Sequence, residues 1–329
     1  MLSKLVPAFS VGFLLALSVS AQTPKSRHFT FDYSFTVRIT DPGKPLDVWF
    51  PMAESDPYQQ IRIISKSADL AVDETREAEY GNRMFHAHIA SADKPEYHFS
   101  VKYDVVRLEH FAAASTTGAA SPTEINRFLA PDKLVPISGK PAEIAQQQLK
   151  PRMSDMEKAR AFYDYVFNTM RYDKTGVGWG HGDTLWACDS KRGNCTDFHS
   201  VFISMARSQH IPARFEIGFS VPDDRNASDI AGYHCWAEFY TPQRGWFPVD
   251  ISEAWKHQEK KDYYFGAHDV NRLQFSIGRD LELSPKQHGA PLNYFVYPYA
   301  ELNGEEYPNI AIAFSFADVK EAKATRASR

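Results

Sequence analysis

The sequence predicts an α+β protein in which an N-terminal antiparallel β-sandwich is followed by a domain that packs a cysteine-bearing helix on an antiparallel sheet. Apolar and polar residues alternate repeatedly through residues 28–112, as they do in strands with one buried face. Helical periodicity follows over residues 154–172 and again over residues 195–206, and strand patterns return from residue 213. Separate runs of strands and helices are typical of α+β chains.

The first 21 residues have the pattern of a secretory signal peptide. Lys4 supplies a positive charge, residues 5–20 carry none, and Val19-Ser20-Ala21 offers the small residues of a signal-peptidase site. An uncleaved membrane anchor is the alternative, although the apolar run is short for a bilayer span of about 20 residues. We therefore expect a secreted or periplasmic protein beginning near Gln22, with no stable membrane insertion once the signal is removed.

Composition bounds the partners and cofactors. The 329 residues suggest two domains, and a net charge of −4 without any long block of Lys or Arg argues against nucleic acid. The glycine-rich segment 176–182 is not followed by the Lys-Ser/Thr pair of a phosphate-binding loop. We expect no cofactor and no metal.

Residues 28–112 are predicted to form the β-sandwich. The segment His28–Thr40 alternates without interruption, and shorter segments with the same pattern cover residues 46–50, 61–63, 84–89 and 97–105. Small and polar residues then mark a linker, so residues 113–150 are interpreted as a linker with a connecting helix. Residues 151–329 are interpreted as the second domain, with a C-terminal β extension whose strands, near 294–299 and 310–316, close that domain.

Two helices are predicted in the second domain. Ser154 and Glu157 form a capping box that opens the first helix, which should end near Tyr172, before the glycine-rich loop. Asn194 is the expected N-cap of the second helix, with Asp197 as its capping-box partner, and this places Cys195 in the first turn. Unpaired backbone N–H groups and the helix dipole favour a thiolate there.

A hairpin after the second helix places two further polar residues on one face. Strands are predicted over 232–240 and 246–250, joined by a turn-rich connection. If Tyr240 lies opposite Trp246, strand alternation brings His234 and Asp250 within reach of each other. Cysteine catalysis needs a thiolate, an imidazole and an acceptor that orients the imidazole, and Cys195, His234 and Asp250 supply these in order.

These segments resemble a known family. The order Gly193-Asn194-Cys195, then Tyr233-His234-Cys235-Trp236-Ala237-Glu238, then Trp246-Phe247-Pro248-Val249-Asp250 is similar to the transglutaminase-like superfamily, whose core resembles papain-like cysteine proteases. The resemblance implies Cys195 as nucleophile, His234 as general base and acid, and Asp250 as the orienting carboxylate. It also implies an aromatic oxyanion donor besides the N–H of Cys195. Tyr172 matches that position, with Trp179 and Trp186 as alternatives.

Several alternatives stay open. His199 could act as the base, but its helix offers no carboxylate to orient it, so we interpret it as a packing or surface residue. His181, Cys188, Cys195 and His199 could bind zinc, although their spacing departs from the usual paired ligands. Cys188 and Cys235 either pair as a disulfide or remain reduced.

The expected function is cysteine-dependent acyl transfer or hydrolysis at amide or peptide bonds through a thioester, with hydrolysis favoured because water is the default acceptor. The substrate would be a protein, a peptide or a cell-wall amide. The alternative is a non-catalytic binding or scaffolding module on the same fold.

Overall fold

The computed structural model describes residues 23–112 and 120–320, so the predicted signal peptide lies outside the described residues. The helices are α1 Pro122–Arg127, α2 Lys140–Gln148, α3 Asp155–Thr169, α4 Thr184–Ser190, α5 Cys195–Ser208 and α6 Ile251–Lys256, with a 3₁₀ turn at Gln258–Lys260. The strands are β1 Ser26–Arg38, β2 Leu46–Pro51, β3 Gln59–Ala68, β4 Asp73–Arg76, β5 Arg83–Ile89, β6 Glu96–Leu108, β7 His110–Phe111, β8 Arg171–Tyr172, β9 Arg192–Gly193, β10 Ala213–Ser220, β11 Ala227–Asp229, β12 Tyr233–Thr241, β13 Gly245–Val249, β14 Ala267–His268, β15 Arg272–Ile277, β16 Tyr299–Leu302, β17 Glu305–Glu306 and β18 Ile310–Asp318.

Two five-stranded antiparallel sheets form the N-terminal β domain. Their strand orders are β11-β18-β1-β6-β3 and β17-β16-β2-β5-β4. Strand β1 buries every second residue, as the alternation predicts. The sheets meet through aromatic side chains, with the rings of Phe35 and Phe50 5.1 Å apart and those of Phe35 and Phe99 4.8 Å apart. The α+β class and the leading β domain are therefore confirmed.

The C-terminal strands pair differently from the expectation. We expected them to close the second domain, but β18 pairs with β1, placing Phe316 opposite Phe31, and β16 pairs with β2. The alternation of β18 identifies a strand with one apolar face but not its partner. Pairing with β18 covers the edge of β1 from Phe29 to Val37, which would otherwise expose its backbone groups. The tail thus completes both N-terminal sheets.

The second domain packs helix α5 against the four-stranded sheet β13-β12-β10-β15. Helix α5 is buried along nearly its whole length because α2, α3 and α4 cover its other sides. The β12–β13 hairpin has the expected register, with Tyr240 opposite Trp246. Helix α3 begins with the predicted capping box at Ser154 and ends at Thr169, slightly before the expected end near Tyr172.

Short ladders complete the arrangement around α5. Strands β8 and β9 run parallel and place Tyr172 opposite Gly193. Strands β7 and β14 form a separate two-stranded ladder that pairs His110 with His268 and thereby joins the end of the N-terminal domain to the second domain. Within residues 23–112 and 120–320, none of the helices has the length and apolar character needed to span a membrane.

Candidate active site

Cys195 is the first residue of α5, and the polar residues beside it fix that end of the helix. Asn194 is the N-cap, and its Oδ1 accepts from the Thr196 N–H at 2.9 Å. Asp197 completes the capping box, because its Oδ2 accepts from the Asn194 N–H at 2.9 Å. The Cys195 side chain is only 2% exposed. Its N–H lies in the first turn, where amide groups have no intrahelical acceptor.

Asp197 also holds the glycine-rich loop against the helix. Its two carboxylate oxygens accept from the N–H groups of Gly180 at 2.7 Å and Gly182 at 3.0 Å. Gly193 has a φ of +148°, and a Cβ at this position would overlap the Asp197 side chain. Glycine is therefore required immediately before the N-cap.

His234 and Asp250 form a buried hydrogen-bonded pair. His234 Nε2 lies 2.8 Å from Asp250 Oδ2, which leaves Nδ1 as the ring nitrogen available to Cys195. Asp250 is the N-cap of α6, and its Oδ1 accepts from the Glu253 N–H at 3.0 Å and the Ser252 hydroxyl at 3.1 Å. A fixed carboxylate of this kind holds one orientation of the imidazole.

The electrostatics favour a thiolate and an imidazolium. Burial opposes ionisation of Cys195, but hydrogen bonds from Cys235 and His234 outweigh it and hold the Cys195 pKa well below its usual value. Burial likewise opposes the charged form of His234, but the Asp250 carboxylate raises the His234 pKa to about 10. The Asp250 pKa is held well below its usual value against burial, chiefly by His234. The structure therefore brings the three predicted site residues together.

His199 is fully buried in α5, and backbone groups hold both nitrogens of its ring. Its Nδ1 donates to the Cys195 carbonyl oxygen at 2.8 Å, and its Nε2 accepts from the Ile251 N–H at 3.1 Å. Burial lowers its pKa. Both ring nitrogens are engaged by backbone groups, so His199 has no lone pair free for proton transfer or for the alternative zinc site.

Among the aromatic candidates, Tyr172 lies opposite Gly193 in the β8–β9 ladder, two residues before Cys195. Burial and then the charge of Cys195 raise the Tyr172 pKa. Trp179 instead donates from Nε1 to the Gly176 carbonyl oxygen at 3.2 Å. Trp186 packs against Gly178 and lies under the Arg192 guanidinium, 5.9 Å from its ring centroid.

All three cysteines are free thiols, so the disulfide alternative between Cys188 and Cys235 is not realised. Cys235 instead faces the first turn of α5. Its sulfur lies 3.7 Å from Thr196 Oγ1 and 3.8 Å from His199 Nδ1.

Two site residues were not predicted from the sequence. Arg272 donates from Nη1 to Asp250 Oδ2, and no local pattern indicated that role. The Tyr233 hydroxyl accepts from Asn194 Nδ2 at 2.9 Å and lies 2.8 Å from Thr196 Oγ1. The strand pattern of β12 could have indicated this contact. Tyr233 precedes His234, and adjacent residues of a strand point to opposite faces of the sheet.

Comparison with known proteins gives consistent matches. The family model described as the transglutaminase-like superfamily matches residues 142–251. An uncharacterized protein of Haemophilus influenzae is 26% identical over 317 aligned residues, covering 84% of this chain and 86% of that protein. The crystal structure of a putative cysteine protease from Cytophaga hutchinsonii superposes with a TM-score of 0.57 at 14% identity, covering 91% of this chain and 92% of that one. The periplasmic domain of TgpA from Pseudomonas aeruginosa, bound to ethylmercury, gives a TM-score of 0.38 at 13% identity, covering 71% and 92%.

Proposed function

We propose that the chain is a cysteine-dependent enzyme that cleaves or transfers amide and peptide bonds, because residues 142–251 match the family model of the transglutaminase-like superfamily. The observation that carries the proposal is the buried constellation of Cys195, His234 and Asp250. Its central contact is the 2.8 Å hydrogen bond between His234 Nε2 and Asp250 Oδ2. These are the nucleophile, the acid–base and the orienting group of acyl transfer by a thiol.

The proposed reaction has two steps. The Cys195 thiolate attacks the carbonyl carbon, the His234 imidazolium gives its proton to the departing amine, and a thioester remains on Cys195. Water then attacks the thioester while His234 accepts one of its protons, and the carboxylic acid leaves as the Cys195 thiolate and the His234 imidazolium are regenerated. An amine in place of water would give transamidation. Hydrolysis is favoured because water needs no binding site for an acceptor.

An oxyanion would form in both steps and needs hydrogen-bond donors. The Cys195 N–H at the start of α5 is one donor. We assign the second role to the Tyr172 hydroxyl, because strand pairing places Tyr172 opposite Gly193, two residues before the nucleophile. Burial and the Cys195 charge keep the Tyr172 pKa above its usual value, so the hydroxyl retains its proton.

The substrate class follows from this chemistry and from the predicted export. A secreted or periplasmic enzyme of this kind would act on a protein, a peptide or a cell-wall amide. Glu253, whose Oε1 lies 3.8 Å from His234 Nε2, borders a cavity of about 580 Å³.

The test combines substrate screening with three variants. Activity-based probes built on peptides and on peptidoglycan fragments should label Cys195, as located by mass spectrometry. Cys195→Ala and His234→Ala should abolish turnover, and Asp250→Ala should reduce it less, because the carboxylate only orients and stabilises the imidazole. Cys188→Ala is the matched control and should keep full activity. Full activity in Cys195→Ala would end the nucleophile assignment.

The burial of Cys195 also fits a second candidate function, that of a module without catalytic activity. A thiol that is 2% exposed also suits a binding or scaffolding module that has kept the fold without turnover. Such a module would leave Cys195 unlabelled by every probe in the native state while Cys195 reacted after unfolding.

A further inference from the structure

Three metal-ligating side chains from distant parts of the chain meet beside the catalytic sheet. They are His110 of β7, Glu238 of β12 and His268 of β14, and each is less than 5% exposed. One ligand atom from each lies within 4.8 Å of the other two, so a point exists within about 2.8 Å of all three. Zinc lies about 2.0–2.2 Å from nitrogen and oxygen ligands, so side-chain shifts of under about 1 Å would complete the site.

His268 presents an unused lone pair in this cluster. Its Nε2 lies 3.3 Å from the Val249 carbonyl oxygen and donates to it, which leaves Nδ1 as the unprotonated nitrogen. Nδ1 is buried and has no hydrogen-bond partner among the residues that the structure describes. A neutral imidazole anchored at its other nitrogen is the form that binds metals.

Glu238 turns one oxygen toward the histidines. Its Oε2 accepts from Arg214 Nη2 at 2.6 Å, while its Oε1 lies 3.2 Å from His110 Nδ1. Cross-strand pairing sets His110 directly opposite His268, with ring centroids 5.6 Å apart. The arrangement thus combines two imidazoles with one carboxylate oxygen.

The surrounding charges leave room for a cation. Arg214 is shared between Glu238 and Glu216, and its Nε lies 3.0 Å from Glu216 Oε1. Arg272 is neutralised in the same way by Asp250 and Asp269.

We propose that His110, Glu238 and His268 bind a divalent transition-metal ion, zinc in the first instance. Two histidines and one carboxylate are a common zinc set that leaves a coordination position for water. His110 and Glu238 line a cavity of about 490 Å³ between the two domains, which gives the ion an entry path. The bound ion would tie β7 to β12 and β14.

The test measures zinc directly and does not depend on catalysis. The Cys195→Ala background removes the catalytic thiol as a competing ligand. We expect this variant to retain one equivalent of zinc after dialysis, measured by elemental analysis, and to melt at a higher temperature with zinc than without it. Cobalt in the same variant should give d–d absorption without a thiolate charge-transfer band.

Two substitutions locate the ion. Adding His268→Gln to Cys195→Ala should weaken zinc binding by at least about tenfold and abolish the thermal shift, because a ligand is lost. Adding His86→Gln, a buried histidine that contacts Asp47 in the N-terminal domain, should leave zinc binding unchanged. If the His268 variant fails to fold by circular dichroism, His110→Gln replaces it.

Three results would overturn the proposal. Zinc held by the native protein but lost in Cys195→Ala would belong to the catalytic thiol. Zinc held equally by Cys195→Ala and its His268→Gln derivative would lie elsewhere. Absence of zinc binding in folded Cys195→Ala would mean that the cluster is a hydrogen-bonded core group.

Discussion

Arg272 donates from Nη1 to Oδ2 of Asp250 at 3.1 Å, on the same oxygen that His234 contacts at 2.8 Å. Asp250 is therefore held between a permanent cation and the imidazole. The Asp250 pKa lies well below its usual value, because His234 and then Arg272 outweigh burial. A depressed carboxyl pKa stabilises the folded protein above the unfolded-state pKa of about 3.9, and this contribution is lost as the pH falls through the folded pKa.

The first prediction concerns Arg272→Met. Removing the guanidinium leaves the buried Asp250 and the partly buried Asp269 short of a partner, so the free energy of unfolding should fall by about 3–5 kcal/mol in urea titration. The pKa of Asp250 should rise. In the plot of the Cys195 alkylation rate by iodoacetamide against pH, the low-pH rise, here called the acid limb, should move to higher pH. A loss of stability alone would not shift the acid limb, so a shift indicates that Arg272 positions and charges Asp250.

Arg279→Met is the matched control for this experiment. Arg279 is equally buried but donates to the carbonyl oxygens of Gly182 at 2.9 Å and His181 at 2.7 Å, away from Asp250. It should lower stability and leave the acid limb in place. Equal shifts of the acid limb in both variants would contradict the role assigned to Arg272.

The second prediction is the pH dependence of thiol reactivity. The Cys195 pKa is well below its usual value and the His234 pKa is raised to about 10, so thiolate and imidazolium coexist between these two values. At pH 7, alkylation of Cys195 should already be close to its maximum rate, whereas a free cysteine has a pKa of about 8.5 and is mostly protonated. General-acid function should fail as the pH rises past about 10.

His234→Ala provides the control for the pH profile. Without the imidazolium, burial dominates, and the onset of alkylation should rise to that of an ordinary thiol or beyond. A native profile with a single ionisation near pH 8.5, superimposable on that of His234→Ala, would show that no ion pair forms.

The third prediction assigns a supporting role to Cys235. Its thiol hydrogen-bonds to Cys195 and is among the causes that lower the Cys195 pKa. Cys235→Ala should raise the onset pH of Cys195 alkylation, and Cys235→Ser should restore much of the native profile because a hydroxyl also donates. Cys188→Ala should change nothing. Unfolded, unreduced protein should titrate as three thiols, and a count of one would indicate the disulfide instead.

Local patterns in the sequence predicted much of the site, because its parts are set by short-range rules. The N-cap at Asn194 and the pairing of Tyr240 with Trp246 depend on neighbouring residues, and both are confirmed. The approach of His234 to Asp250 follows from that register. The catalytic roles of these residues stay a prediction until variants are measured.

Contacts between residues far apart in the chain could not be predicted from these local patterns. The alternation of β18 indicates a strand but is equally compatible with either sheet, and the tail was assigned to the wrong one. Arg272 reaches Asp250 across 22 residues, and His110 reaches Glu238 from another domain. Such contacts depend on how the sheets pack, which periodicity does not encode.

The last prediction tests how Asp197 joins the glycine-rich loop to the nucleophile. Its carboxylate accepts from three backbone N–H groups, those of Asn194, Gly180 and Gly182. In Asp197→Asn an NH₂ group would face at least one of these donors, and hydrogen bonds to a charged acceptor are worth about 1.5–3 kcal/mol each. We expect a loss of about 3 kcal/mol in urea unfolding and a slower alkylation of Cys195, because the first turn of α5 loosens.

Asp183→Asn separates this effect from capping in general. Asp183 is the N-cap of α4 and accepts from the Leu185 and Trp186 N–H groups at 3.0 and 3.2 Å, at a partly exposed position. Asn caps helices about as well as Asp, so this variant should stay within about 0.5 kcal/mol of the native protein. If Asp197→Asn proved equally mild, with unchanged alkylation of Cys195, then the bonds to Gly180 and Gly182 would not hold the loop. The N-cap at Asn194 would by itself fix the position of the thiol.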